Sequence, residues 1–265
     1  MAQQTLANNV AVFHPLLPAI RRIGLSDLKE VLAKGLADFN EAPTHLAFMS
    51  LIYPLVIIIA ARAAAGYDVL QLIFPLLAGY TLVGPLVAVG MYELSRRREK
   101  GLPVSRRRAF DVLRSHSAIS IAILGILLMC VYFAWLYTAQ VIYVRYMGSA
   151  VPESIGAFVS QILTTEAGWG LIVAGNTAGF IFAAVVFSLS VVSFPLLVDR
   201  DTTVTTAVTT SIRAVIANPF IMAVWGLIVA SSLLIGALPF FVGLAVVLPV
   251  LGHASWHLYR KIVQF

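Results

Sequence analysis

The sequence predicts an all-α membrane protein, a polytopic bundle of six transmembrane helices with amphipathic helices at the membrane interface. Three observations predict this class: the composition, the length of the apolar runs and the placement of the basic residues. Hydrophobic residues make up 60% of the 265 residues, charged residues make up 11%, and the mean hydropathy is +0.93. A soluble domain carries about 25% charged residues. We therefore expect the chain to lie in a bilayer, whose core requires about 20 apolar residues per crossing.

Residues 1–25 show no clear apolar period, and we expect them to form a loosely ordered cytoplasmic lead before a single transmembrane domain over 26–265. At the start of that domain, Ser26 has the features of an N-cap, and apolar residues follow at helical spacing. This pattern predicts an amphipathic helix in the membrane interface. Its polar face is formed by Lys29, Glu30, Lys34 and Asp38.

Long apolar runs separated by charges or turn residues predict the spans. The six spans are expected at about 44–66, 69–92, 115–144, 167–198, 219–235 and 240–258. The fourth run exceeds the bilayer thickness and contains Pro195, so it must tilt, kink or protrude. From Ala214 to Tyr259 no residue is formally charged. This run of 46 residues would measure about 69 Å as one helix, so a hairpin is expected at 236–239.

Amphipathic segments also occur in the loops. Ala109–Leu113 is a short one ahead of the third span. Residues 155–163 carry apolar side chains at helical spacing and predict a surface helix on the opposite side of the membrane. Thr203–Ile216 predicts an interfacial helix before the fifth span. Its apolar face is expected to consist of Val208, Ile212, Val215 and Ile216.

The basic residues predict the orientation. Sixteen of the 18 lie in the N-terminal segment, the loops after the second and fourth spans, and the C-terminus, whereas the other side holds Arg62 and Arg145. The positive-inside rule places the basic side in the cytoplasm. In a soluble protein a net charge of +6 would suggest nucleic acid as a partner. Here the charges flank hydrophobic spans, so we expect membrane lipids instead.

An internal repeat is also predicted. Three units share one plan, in which an amphipathic helix is followed by a polar or proline joint and then by two spans. The units are about 26–98, 105–200 and 203–261. Because each unit crosses the membrane twice, the threefold repeat is parallel rather than inverted.

Several short segments resemble an uncharacterised family of bacterial integral membrane proteins that is catalogued as a domain of unknown function. The segments are Leu36–Phe39, Pro43–His45, Gly66–Asp68, Tyr92–Arg98, Ala109–Arg114, Val192–Asp201 and Leu251–Arg260. The resemblance covers nearly the whole chain from about residue 20 and implies a multi-span protein of the bacterial cytoplasmic (inner) membrane. It implies no substrate and no catalytic residues. More distantly, the threefold plan is similar to the membrane domain attached to some glycerophosphodiester phosphodiesterases.

Two histidines at the end of the sixth span form a candidate metal or haem-linked site. His253 and His257 are four residues apart and therefore lie on one helical face. A third ligand would be needed, and His45 and Glu93 are the candidates at a similar depth. The alternative interpretation is a pair of interfacial histidines beside aromatic and basic residues.

Polar residues inside predicted spans are further candidates. Asn176 lies in the fourth span and Gln140 in the third. Either could line a pathway, but hydrogen bonding to a neighbouring helix is the more common role for such a residue.

Six arginines in the longest polar loop are candidates for binding anionic lipid headgroups. They are Arg96, Arg97, Arg98, Arg106, Arg107 and Arg108. The alternative is that they determine topology without a specific ligand. We expect no cofactor.

The sequence contains no phosphate-binding loop, nucleophile elbow or metalloprotease pattern, so enzyme activity is not expected. Three functions stay open. The first is a non-enzymatic accessory, scaffold or regulator of a membrane complex or a lipid process, with lipids and other membrane proteins as partners. The second is a small transporter or channel with a polar pathway near Asn176. The third is a metal- or haem-linked respiratory accessory.

Overall fold

Helices account for nearly all of the regular structure in the part of the chain that the computed structural model describes. That part comprises residues 17–41, 75–76, 84–149, 154–239 and 241–265. The helices are α1 Leu25–Glu41, α2 Gly84–Val87, α3 Val89–Glu99, a 3₁₀ helix Arg106–Arg114, α4 Ala118–Met147, α5 Ile155–Thr164, α6 Glu166–Ser190, α7 Ser193–Asp199, α8 Val204–Ala217, α9 Pro219–Ala237 and α10 Leu244–Ile262. Two short strands, β1 Ala19–Ile20 and β2 Val263–Gln264, pair antiparallel.

Three helical segments of the described chain are long and apolar enough to cross a membrane. They are Ala118–Met147, Glu166–Asp199 and Pro219–Ala237, and they are candidate spans at the third, fourth and fifth predicted positions. The first predicted span and most of the second lie outside the described residues. The sixth predicted position is helical in α10, but the last turn of α10 carries Arg260 and Lys261. The count of six spans therefore stays a prediction.

The fourth predicted span is broken, as its length requires. Its helical run of 34 residues would measure about 51 Å if it were straight, which exceeds the bilayer core. The break falls at Val191 and Val192, between α6 and α7. Pro195 lacks the backbone N–H that would bond to the carbonyl four residues earlier, and this explains the position of the break. The Val192 N–H instead bonds to the Ser211 hydroxyl oxygen of α8 at 3.2 Å.

The long helices alternate in direction, so the beginning of one helix lies beside the end of another on the same side of the molecule. The Ser117 hydroxyl at the start of α4 donates to the carbonyl of Arg200 at 3.2 Å. The Tyr259 hydroxyl near the end of α10 donates to Asp199 at 2.9 Å. We call this side, where α4 and α9 begin and α7 and α10 end, the basic end.

The described part of the N-terminal segment is fastened to the basic end. β1 pairs with β2, so residues 19–20 lie against the C-terminus. Asn218, at the joint between α8 and α9, accepts a hydrogen bond from the Ile23 N–H at 2.9 Å and donates to the Arg21 carbonyl at 3.1 Å. The buried amide side chain of Asn218 thus provides hydrogen-bond partners for two backbone groups of a segment that is not helical.

The packing of α1 differs from the predicted interfacial position. Its apolar stripe, which includes Leu28 and Val31, is buried by protein. Much of that burial is against α10: an added Cβ at Gly35 would lie 2.7 Å from the Cβ of Ala254 and 2.8 Å from the carbonyl oxygen of Val250. The helix therefore docks on the C-terminal helix through a close backbone approach, and only its opposite face is exposed.

The burial of α8 also differs from the prediction. The expected apolar face includes Ile212 and Ile216, which are 36% and 71% exposed. The buried face instead carries small residues, among them Ala207, Thr210 and Ala214. Small side chains allow neighbouring helices to approach closely in a membrane protein, whereas isoleucines can face lipid. The predicted surface helix at 155–163 is confirmed as α5.

Each predicted repeat unit begins with a helix in the structure. The first unit begins with α1, the second with the 3₁₀ helix and the third with α8. The 3₁₀ helix spans 9 residues, α8 spans 14 and α1 spans 17. The threefold repeat and the unit boundaries stay a prediction, because the two spans of the first unit lie largely outside the described residues.

The close contact of α1 with α10 yields a test. We expect Gly35→Ala to lower the free energy of unfolding by about 1–3 kcal/mol, because the added methyl overlaps backbone atoms that cannot move aside. Gly226→Ala is the matched control, because no atom lies within 4 Å of an added Cβ there. Alanine also favours the helix over glycine, so the control is expected to be neutral or stabilising. Unfolding by SDS in mixed micelles measures both; a Gly35→Ala protein as stable as the control would contradict the packing.

Candidate functional site

A buried carboxylate connects three helices at the basic end. Asp38 of α1 is 5% exposed. Its Oδ2 accepts hydrogen bonds from the Ser95 hydroxyl of α3 at 2.5 Å and from the His257 Nε2 of α10 at 2.8 Å. Its Oδ1 accepts a hydrogen bond from the Arg98 guanidinium of α3. Both oxygens of the carboxylate are therefore used, and each partner comes from another helix.

These partners keep Asp38 ionised. Burial by itself would raise its pKa, but the hydrogen bonds from His257 and Ser95 outweigh burial, and the charges of His257 and Arg98 add to them, so the pKa falls to about 2. Asp38 is thus a carboxylate at neutral pH and can only accept hydrogen bonds.

The ionised Asp38 determines the protonation of His253. The Ser95 hydroxyl has one hydrogen, which it donates to Asp38, and the Ser95 oxygen lies 2.7 Å from the His253 Nδ1. The hydrogen of this second contact must therefore be on Nδ1. His253 is 1% exposed, and its Nε2 has no hydrogen-bond partner among the described residues. A second proton on the ring would leave a buried charged donor without an acceptor, so Nε2 carries a lone pair.

Two clefts open beside this cluster. The first, of about 310 Å³, is lined by Asp38, Glu41, Leu94, Arg98, Val104 and His253. The second, of about 500 Å³, shares Asp38 and Arg98 with the first. Its remaining charged lining is mostly basic and comes from Lys34, Glu99, Arg260 and Lys261.

Further ion pairs surround the cluster at the ends of α3, α7 and α10. Glu99 accepts hydrogen bonds from the Trp256 indole and the Arg260 guanidinium, both at 3.0 Å. Asp199 accepts hydrogen bonds from Tyr259 at 2.9 Å and from Arg260 at 3.3 Å. Because the acceptors end two different helices, these bonds hold the end of α10 between them.

The candidate metal site is assembled only in part. His253 and His257 do share a partner, since their nitrogens lie 3.9 and 2.8 Å from the Asp38 Oδ2. Glu93 is used elsewhere: its oxygens bind Arg96 at 2.7 Å and Arg97 at 2.8 Å. His45 lies outside the described residues. Over the described ranges, no group of three histidine, cysteine or acidic residues has metal-binding geometry.

Four of the six candidate arginines form ion pairs. Arg96 and Arg97 bind Glu93, and Arg97 also binds Asp111 at 2.7 Å. Arg98 binds Asp38 and also Glu41 at 2.5 Å. Arg108 lies 3.2 Å from Asp111. Arg107 is exposed and has no ion pair within the described part of the chain, and the Arg106 side chain is not described.

The two polar candidates within the spans occupy different positions. Asn176 is exposed and donates from Nδ2 to the carbonyl of Ile172, four residues earlier in its own helix, at 2.7 Å. Gln140 is partly buried, and its Oε1 has no hydrogen-bond partner among the residues the structure describes. The two residues were predicted to line a pathway or pack against another helix. Among the described residues, Asn176 bonds within its own helix.

Asp38 and Ser95 were missed as site residues. Asp38 was predicted to lie on the polar face of α1. The buried positions of α1 are Leu28, Val31, Gly35, Asp38 and Phe39. The spacing from Leu28 to Asp38 follows the buried stripe, so an acidic residue in register with that stripe is the signal that would have found it.

Comparison with known families supports the membrane assignment. Residues 73–199 match a family described as "Predicted integral membrane protein (DUF2189)". We call the matched stretch the DUF2189 segment, after the family whose model it resembles. The match confirms the resemblance to a family of integral membrane proteins of unknown function. No curated protein and no solved structure matches the chain.

The cluster around Asp38 combines residues from inside and outside the DUF2189 segment. Ser95, Arg98 and Asp199 lie within the segment, whereas Asp38 and both histidines lie outside it. The contacts of α1 and α10 with α3 therefore attach the flanking helices to the segment that the family match covers.

The pKa of Asp38 gives a prediction for acid. A carboxylate whose pKa is lower in the folded state than its ordinary value of 3.8 stabilises the protein above that value and loses this contribution as pH falls toward 2. We therefore expect Asp38→Asn to lower the free energy of unfolding by about 2–3 kcal/mol at pH 7. The difference from wild type should shrink between pH 4 and pH 2.

Asp201→Asn is the control for that measurement, because Asp201 is exposed and forms no ion pair with any described residue. SDS unfolding of all three proteins between pH 7 and pH 2 tests the prediction. A deficit of Asp38→Asn that is the same at every pH would show that the charge of Asp38 is not its cause.

Proposed function

We propose that the chain is a non-enzymatic accessory or scaffold protein of a bacterial cytoplasmic membrane whose basic end binds anionic phospholipid headgroups. Exposed cations without carboxylate partners support this proposal most directly. Within the described ranges, the basic end has six such residues: Arg21, Arg22, Lys29, Arg107, Arg114 and Arg213. A phosphate or phosphoglycerol group offers the counter-charge that the protein does not supply.

The level of these cations fits lipid headgroups. Arg114 lies just before α4 begins, and Arg213 lies just before α9 begins. Both helices are apolar enough to span a membrane, and large apolar side chains such as Ile119 and Phe220 are exposed on them at this end. Side chains at the ends of spanning helices reach the interface, where headgroups lie.

An orientation with the basic end in the cytoplasm is part of the proposal. The positive-inside rule supports it, because the basic residues of the described loops cluster at this end while Arg145 lies near the other end of α4. Both β1, near the end of the predicted N-terminal lead, and the C-terminal strand β2 are at the basic end. The proposed topology therefore has both termini in the cytoplasm.

The geometry of Ser95 favours a non-enzymatic role. In a serine hydrolase the histidine lies between the carboxylate and the serine and takes the serine proton. Here the serine lies between Asp38 and His253, and its hydroxyl donates to the carboxylate. In that order the acceptor of the Ser95 hydrogen is a carboxylate with a pKa of about 2, which is a far weaker base than a histidine.

A small transporter or channel is the alternative. A pathway near Asn176 would have to include the exposed face of α6, on which Asn176, Val173 and Phe180 lie. That face is exposed, so this alternative requires a further membrane helix to close the pathway.

The lipid proposal is tested by removing two cations from the basic end. We expect the double variant Arg107→Gln/Arg114→Gln to bind phosphatidylglycerol roughly thirtyfold more weakly, since each basic residue near the surface contributes about 1 kcal/mol. Its binding of phosphatidylcholine should not change. Lipid titration of the detergent-purified protein, followed by native mass spectrometry, gives both affinities.

Arg145→Gln is the matched control, because Arg145 is also exposed but lies at the opposite end of α4. It should leave phosphatidylglycerol binding unchanged. An equal loss in the control, or no loss in the double variant, would show that the basic end does not select anionic lipid.

A further inference from the structure

The cleft beside His253 contains a buried acceptor with no partner. The His253 Nε2 has no hydrogen-bond partner in the described part of the chain, although the ring is 1% exposed. The ring lines the cleft of about 310 Å³ together with Asp38, Glu41 and Arg98. A buried polar atom without a partner is unfavourable, so a ligand that donates a hydrogen bond there would be stabilised.

The chemistry of the cleft lining specifies the ligand. Nε2 presents a lone pair, because the hydrogen of His253 is on Nδ1 and points to Ser95. Asp38 and Glu41 supply two carboxylates against the single cation of Arg98, so the cleft has an excess of negative charge. Leu94 and Val104 supply apolar walls. A ligand group that is positively charged, small and rich in N–H donors fits all of these features.

We propose that this cleft binds a primary ammonium group, such as that of an ethanolamine phosphate headgroup, with the ammonium donating to the His253 Nε2. The neighbouring cleft explains the preference for a headgroup over a simple amine. It shares Arg98 with the first cleft and adds Lys34, Arg260 and Lys261, so basic side chains are available for the phosphate beside the ammonium. The exposed cations of the proposed function are different residues, so the two proposals stand independently.

The depth of the cleft fits a lipid source. Arg98 adjoins Glu99, which binds Trp256 and Arg260, and Arg260 also binds Asp199. Asp199 is the last residue of a membrane-spanning run. The cleft is therefore at the level where a spanning helix ends, which is the level of phospholipid headgroups.

The experiment compares two lipids of equal charge whose ammonium groups differ in N–H donors and in size. Phosphatidylethanolamine and phosphatidylcholine with the same acyl chains carry the same charge, but the trimethylammonium group of choline cannot donate. Titration of the full-length protein in detergent, read by native mass spectrometry, should give roughly tenfold tighter binding of phosphatidylethanolamine.

Two variants connect this selectivity to the cleft. His253→Asn retains a donor toward Ser95 but removes the Nε2 acceptor, and Glu41→Gln removes a carboxylate at an exposed position where folding is not at risk. Both should bring the ratio of the two affinities close to one. Glu30→Gln is the matched control, because Glu30 lies on the same helix and does not line the cleft, and it should keep the wild-type ratio.

Soluble phosphoethanolamine distinguishes the source of the ammonium group. If it displaces the lipid at a similar concentration, the cleft is a site for a soluble amine; if it does not, the lipid headgroup is the ligand, and either result supports the ammonium site. Equal binding of the two lipids by wild type would overturn the proposal. Wild-type selectivity in the Glu41→Gln variant would also overturn it, even if the His253→Asn protein does not fold. Neither failure bears on phosphatidylglycerol binding by Arg107 and Arg114.

Discussion

The rest of the basic end depends on one buried carboxylate. An ionised group in a low-dielectric site is strongly destabilised unless opposite charge and hydrogen-bond donors surround it. Asp38 obtains its donors from α3, through Ser95 and Arg98, and from α10, through His257. Because neither helix alone satisfies the carboxylate, α1 can be buried here only when both are in position. The close packing of Gly35 on Ala254 follows from the same docking.

The other features of the basic end follow from this arrangement. Because Asp38 can only accept, the Ser95 hydroxyl donates its one hydrogen to Asp38. The hydrogen of His253 is therefore on Nδ1, and its Nε2 keeps a lone pair that has no partner among the described residues. Some charged residues of the basic end form internal ion pairs around α3 and α10. Others are cations on the outer surface that have no carboxylate partner among the described residues. The internal pairs hold helices together, and the outer cations are the residues that we propose to bind lipid phosphate.

The candidate spans were predictable from the sequence, because the thickness of the hydrocarbon core dictates the length of an apolar run. Features that depend on contacts between helices were not predictable. The spans in α4, α6–α7 and α9 follow from uncharged runs, and the break before Pro195 follows from proline geometry. The burial of α1 and α8 did not follow, because amphipathicity identifies an apolar stripe without identifying lipid or protein as its partner. In α8 Ile212 and Ile216 are exposed, and the small residues turn inward. Asp38 was assigned by charge to the polar face, although its spacing follows the buried stripe of α1.

A double-mutant cycle between Asp38 and His257 tests this account most directly. Asp38→Asn, His257→Gln and the double variant are compared with wild type by SDS unfolding at pH 7, alongside the exposed pair Glu30 and Lys261 as a reference. If the buried carboxylate holds α10 against α1, the two substitutions will couple by about 1–3 kcal/mol, and the reference pair will couple weakly. Additive effects of Asp38→Asn and His257→Gln, within about 0.5 kcal/mol, would contradict it.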